Sequence, residues 1–527
     1  MRFTKKITAL CLAAVFAAAT VVPAAAAEVP YRGFTYNYWK ETLPSPAAYV
    51  PTRSIGGSQI NTSTGPAFEA SLGGFSRPQD MHVDKNGIIY LLDTGNNRIV
   101  IFDKNLNLIR VIDSFKRGET TGKFNNPNGI FVTENLEIYI ADTDNHRIVV
   151  LSNEGEFIKT IIDPKIKKSE DSEELYEFAP LKVCVDKADR VYANVKNIYE
   201  GLMYFNDAGV FQGYFGTISV NKSPMDILWR RLSTEAQQGK SALFIPVEFS
   251  SMDIDENGFI FTTNLDTWHG NKTVKRLNPS GSDVLINYTN LVINGDQIFR
   301  LTGRLGGGAV LVDIKTRPNG VYSVLDSVRS RLFTYDSEGN LLYVVGGTGN
   351  MLGMGRMPVA VDVLDDNLLI LDQQRGEIVY YEQTEYGRLI NEAIALRYSG
   401  DEVAAVGRWE KVLELNENYS LAYAGIGKAL LAAGKNREAM DYLKKGMSME
   451  YYSTAFKRYR NEFLQQNLSL ILTLLAVLIA AFVAWRIYQN LKAKRLRLAA
   501  EKIANEALAE RLKQRQIQLQ EGRRQNE

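Results

Sequence analysis

The sequence predicts a mainly β molecule: a six-bladed β-propeller, then a C-terminal α-helical segment, one transmembrane helix and a helical tail. Three observations predict it. A unit of short alternating strands recurs over residues 75–381. Past Tyr381 the hydrophobic period changes from two to helical. The 18 residues Leu468–Trp485 contain no charge.

The repeat is clearest in its first two copies. Phe75-Ser-Arg-Pro78 leads to Val83-Asp84, Gly87, Tyr90 and Asp93-Thr-Gly-Asn-Asn-Arg98-Ile. Phe124-Asn-Asn-Pro127 leads to Val132, Tyr139 and Asp142-Thr-Asp-Asn-His-Arg147-Ile. Four landmarks (Pro78/Pro127, Tyr90/Tyr139, Asp93/Asp142, Arg98/Arg147) all lie 49 residues apart. Alternating runs broken by Asp, Asn and Gly are strands joined by hairpins, and about 40–50 residues per unit is the length of a propeller blade. Weaker copies carry Pro180, Val185-Asp186 and Tyr192; Pro246, Ile254-Asp255 and Phe261; Val312-Asp313, Tyr322, Asp326 and Arg331; and Pro358, Val361-Asp362 and Leu371-Asp372. The anchor positions Tyr90, Tyr139, Tyr192, Phe261, Tyr322 and Leu369 give six blades. An open ring would leave unpaired sheet edges. The aromatic run Tyr31–Trp39 is the expected closing strand, so the propeller is assigned to 28–383.

The two Asp-centred motifs resemble those of the NHL-repeat propellers, strongly in the first two blades. The resemblance implies that Asp93/Arg98, Asp142/Arg147 and Asp326/Arg331 join neighbouring turns by charge-assisted hydrogen bonds, a structural role. Blades three and four depart from it, with Asn194 and Asn264 in place of Asp, and Glu377 stands where blade six should have Arg.

Helical periodicity covers 384–450. Gly400 and Gly434, like Ala405 and Ala439, are 34 apart, and Tyr423–Leu443 resembles a tetratricopeptide repeat, with small residues where paired helices cross. Trp409 and Leu443 fall on the second helices of the two copies. Two copies are fewer than such repeats usually need alone, so they are expected to pack on the propeller or on the juxtamembrane helix, 451–467.

The ends set the topology. Residues 1–27 have a basic start, an apolar run from Ile7 to Val22 and an Ala-x-Ala site, the form of a signal peptide. Leu468–Trp485, at about 1.5 Å per residue, covers about 27 Å, a bilayer core. The leader places 28–467 outside and 486–527 inside, a cell-membrane protein with one span. The tail 486–527 holds eleven Lys/Arg and five Glu. Its leucine grid is interrupted at Asn505, so a solvated helix near anionic lipid is expected over a coiled coil.

Charge and cysteine bound the function. The whole chain carries +1, the leader +3 and the tail +6, which leaves −8 for 28–485. A mildly acidic body is no nucleic-acid binder. With Cys11 in the leader, Cys184 alone remains, and no disulfide forms within the mature chain.

The chemistry-bearing residues are few. His82, on a strand expected to line the channel two residues after Asp80, is a candidate binding residue with it; His146 sits in a blade turn and His269 in a loop. Three scattered histidines are not a zinc signature. No cofactor is expected, although Asp, Asn and carbonyl ligands for calcium leave no spacing to read. Tyr192 to Phe261 spans 69 residues, against 49 between the first anchors. The surplus holds an expected helix at 223–238 with Trp229, Arg230 and Arg231, a composition common in binding hot spots. The sequence therefore points to a binding or scaffolding module for a protein partner or a glycan. The alternative is a metal-dependent lactonase-like or lyase-like enzyme working in the channel.

Overall fold

Six antiparallel sheets form a propeller in a computed structural model that describes residues 29–56, 74–167, 173–216, 248–265, 273–286, 294–296 and 308–524. Blade one runs Asp80–Val83, Ile89–Asp93, Arg98–Phe102 and Leu108–Ile112 from the channel outward. Blade two repeats it from Gly129–Val132 to Phe157–Ile162, and blade three from Pro180–Val185 to Phe211–Phe215. Blade four has three described strands, Phe249–Ile254, Ile260–Asn264 and Val274–Leu277. Blade five runs from Leu311–Thr316 to Leu341–Gly346. The signal peptide assigned to 1–27 lies outside the described residues, as does the insert 223–238.

The core lies between blades. Second strands such as Ile89–Asp93 and Ile138–Asp142 are buried at every position, because each is covered on both faces by neighbouring sheets. All six anchor residues, from Tyr90 to Leu369, are buried.

The closing strand differs from the expectation. Blade six is completed by Tyr49–Gly56, which pairs with Glu377–Gln383 from Tyr49↔Gln383 to Gly56↔Glu377. The aromatic run instead forms a hairpin, Gly33–Tyr36 with Thr42–Ser45. Phe34 there packs on Phe333 of blade five. Tyr49–Gly56 contains Pro51, which a strand at the rim of a sheet tolerates. Its composition, with one aromatic residue in eight, carries no local mark of a closing strand.

In a four-stranded antiparallel blade, the first and third turns open on one face. The second turn and the crossover to the next blade open on the other. The Asp93 and Asp142 turns therefore share a face with the described blade-to-blade crossovers. The helices take the opposite face. Glu385–Tyr398 (α1), Glu402–Leu415 (α2), Ser420–Ala432 (α3), Asn436–Lys445 (α4) and Met449–Arg524 (α5) follow the last strand. Thr384 caps α1 and also donates to the carbonyls of Ala47 and Ala48. Tyr419 donates to the Leu342 carbonyl at 3.0 Å, and one hydrophobic cluster joins Trp409, Tyr419 and Ile426 to Leu342 and Tyr343 of blade five. The helical segment thus packs on the propeller, and its last pair also packs on the start of α5, the two supports expected for so short a repeat.

Candidate functional site

Side chains alternate along a strand, so polar residues two apart on an inner strand both face the channel. Asp80 and His82, Ser251 and Asp253, and Asp313 and Lys315 are such pairs; Asp362 and Lys182 join them. They form two linked tiers. In one, Lys182 Nζ lies 2.6 Å from Asp80 and 3.2 Å from Asp313, and Ser251 Oγ donates to Asp313 at 2.6 Å. In the other, Lys315 Nζ lies 3.0 Å from Asp362 and 3.8 Å from Asp253. His82 Nδ1 is 3.9 Å from Asp362, and its ring packs on Phe131 at 4.8 Å between centroids.

Each carboxylate also ties its blade to the next. The amide of Ile130 donates to Asp80, that of Val83 to Asp362, that of Val361 to Asp313 and that of Thr316 to Asp253, all at 2.8–2.9 Å. Four carboxylates outnumber two ammonium groups here. Burial, set partly against the neighbouring Lys182 charge, lifts the Asp80 carboxyl to about 6. Burial, reinforced by Lys315, pushes the His82 imidazole down to about 3, leaving it neutral near pH 7. Burial opposes charge on both lysines, but Asp313 and Asp80 around Lys182, and Asp253 and Asp362 around Lys315, hold them protonated.

Among the described residues, these side chains fill much of the space between the inner strands. About 30 Å³ remains among these side chains, room for little more than a water. Among the described residues, no three His, Cys, Asp or Glu side chains are grouped to hold a metal ion. The channel carboxylates give oxygens to lysine, hydroxyl and backbone donors.

The sequence reading found Asp80 and His82 but missed their partners. Asp313 and Asp362 had been matched to the turn residue Asp84. Strand register places them in the channel: Asp313 pairs with Leu325 as Asp80 pairs with Leu92, and Asp362 with Leu369 as His82 with Tyr90. The available signal was polar-x-polar spacing in strands otherwise apolar.

Two of the three expected Asp/Arg contacts form, and the third does not. Asp93 accepts from Arg98 Nε at 2.7 Å, from Asn96 and from the Ser76 amide. Asp142 does the same with Arg147, Asn145 and the Asn125 amide. Asp326 does not take Arg331. It accepts the Val310 amide at 3.0 Å, while Arg331 pairs with Asp296, a carboxylate contributed by the crossover from blade four. In blade six Arg375 pairs with Glu377 at 2.6 Å, so the acidic residue brings its own cation. Trp229, Arg230, Arg231 and His269 lie outside the described residues.

A second concavity, about 410 Å³, opens where the helical segment meets blade five. Tyr36 and Tyr38 of the N-terminal hairpin, Glu338 of blade five, Arg397 of α1, Lys428 of α3 and Tyr451 in the first turn of α5 line it. Glu338 pairs with both Arg397 and Lys428. Burial works against the Glu338 charge, yet Arg397 and Lys428 hold its carboxyl below the ordinary range. The Lys428 ammonium stands 4.2 Å from the centre of the Tyr451 ring.

Residues 75–102 and 124–151 match the NHL repeat. No curated protein matches the chain. Solved structures similar to it include virginiamycin B lyase from Staphylococcus aureus, at 10% identity over 63% of this chain and 99% of that one, with a TM-score of 0.38. A streptogramin B lyase shares 12% identity over 67% of this chain and 93% of its own, with a TM-score of 0.36. A putative gluconolactonase shares 10% over 59% and 90%, with a TM-score of 0.35. Similarity at this level says nothing about what the channel of this chain does.

Proposed function

We propose that the chain is a membrane-anchored extracytoplasmic binding and scaffolding module for a protein partner or a glycan. Its propeller and tetratricopeptide-like helices stand outside the membrane and its basic tail lies in the cytoplasm. One observation carries the reading: the channel, where propeller enzymes work, is filled by the protein's own Lys182 and Lys315 in ion pairs, whereas an open groove lies at the junction of propeller and helices. The apolar run in α5 has mean hydropathy 2.7 and none of it is buried, which suits an anchor.

The test has two arms. Tagged full-length protein recovered from membranes after cross-linking is expected to enrich a defined envelope component. The purified protein, offered lactones and cyclic depsipeptides with calcium, magnesium or zinc, is expected to show no turnover. Turnover abolished by Asp80→Asn or His82→Gln would move the function into the channel and overturn the reading.

A further inference from the structure

The groove at the propeller–helix junction has a chemistry narrow enough to name a ligand class. Its four charged lining residues sum to zero, with Glu338 between Arg397 and Lys428 and Glu450 offsetting the second cation. The remaining charge among the described lining residues, Glu450, is exposed and disfavours an anion. An anionic ligand therefore finds no unpaired cation in the lining.

Aromatic surface is plentiful. Tyr38 is 41% exposed and Tyr451 36%, and the neighbouring Trp39 is 69% exposed and meets Tyr38 edge-to-face at 5.1 Å. Tyr38, Ser420, Ser448 and Tyr451, all hydroxyl-bearing, are among the lining residues. Flat rings beside neutral hydroxyl groups suit the C–H faces and hydroxyls of a sugar. A volume of about 410 Å³ lies in the small-ligand range.

Two other occupants fit less well. Tyr451 stands 17 residues before Leu468 on one helix. At about 1.5 Å per residue, the groove sits about 25 Å above the apolar span, beyond the lipid headgroups. A peptide adding as a strand needs a free sheet edge, and the outer strand of blade five is flanked by the Gly33–Tyr36 hairpin.

From this we propose that the groove binds a neutral oligosaccharide, which rests on the binding-module reading and gives it a ligand. Full-length protein in detergent micelles would be titrated calorimetrically with cellotetraose, chitotetraose, maltotetraose and xylotetraose, with tetragalacturonate as the acidic counterpart. At least one neutral sugar is expected to bind. Tyr38→Ala and Tyr451→Ala should each weaken it about tenfold, the upper end of what one aromatic contact contributes, with unchanged melting temperature. Ile162→Ala, on the outer strand of blade two and 68% exposed, should bind as wild type does.

The proposal falls if no neutral sugar binds, if the acidic one binds tighter, or if binding survives both tyrosine substitutions. Partner recovery from membranes separates the two levels. Recovery without sugar binding removes the glycan and keeps the module; loss of both removes the module as well.

Discussion

Lys182 and His82 carry the physics of the channel between them. Lys182 is the only cation within ion-pair reach of Asp80 among the described residues, and its side chain is 13% exposed. Lys182→Met should destabilise the protein by about 3–5 kcal/mol, because it strands Asp80 and Asp313 in a buried site. Chemical denaturation measures this, and an unchanged midpoint would mean that the backbone amides satisfy both carboxylates alone. His82 sets an acid limit. Its folded pKa, about 3, lies below its ordinary 6.5, so the stability it contributes is complete above pH 6.5 and is lost as pH falls toward 3. Asp80 runs the other way: raised from 3.8 to about 6, it adds stability as pH falls from 6 toward 4. Between pH 6.5 and 5 the His82 share amounts to about 2 kcal/mol, partly offset by Asp80. Wild type should therefore lose a little stability over that interval while His82→Gln gains some; parallel melting curves would refute the assignment. Of this cluster, the sequence revealed only Asp80 and His82. An aspartate reads the same in a turn and in a strand, and Asp313 and Asp362 differ from Asp84 by register alone.

At the level of elements, close contacts fix the helices to the propeller. A Cβ at Gly387 would fall inside contact distance of the Ala48 carbonyl oxygen, a backbone atom with no rotamer to move. Gly387→Ala should cost about 1–3 kcal/mol and expose the segment before the closing strand to limited proteolysis. If cleavage is unaffected, α1 does not depend on that approach. The helical pairs were legible because small residues mark crossings. A Cβ at Gly425 would strike the Trp409 indole, and one at Gly427 would lie 2.6 Å from Leu443 Cγ. Trp409 and Leu443 also fall on the second helices, α2 and α4, as the 34-residue spacing implied. The closing strand was misplaced for the opposite reason. Aromatic residues near the N-terminus signal burial but not which sheet they bury against, and Phe34 and Tyr36 satisfy that signal by packing along blade five. Strong repeats showed the blades, while pairing between the two ends of the propeller left no local mark.

For the molecule as a whole, the described blade-to-blade crossovers and the helical segment occupy opposite faces of the propeller. If α5 crosses the membrane as proposed, the crossovers look away from it. Protease added to intact or wall-stripped cells should then remove 28–467 and leave a small tail fragment on immunoblots against the C-terminus; protection of the large part would reverse the topology. The helix itself runs from Met449 to Arg524 without a proline, and its first glycine is Gly522. An α-helix advances about 100° per residue, and about 18 residues make five full turns. Tyr451 in the groove therefore shares its compass bearing with Ile487 and Asn505 further down the same shaft. Such a shaft has no hinge in which to dissipate a twist. Inserting one residue within Leu468–Trp485 would re-phase everything below it by about 100° and leave the groove untouched.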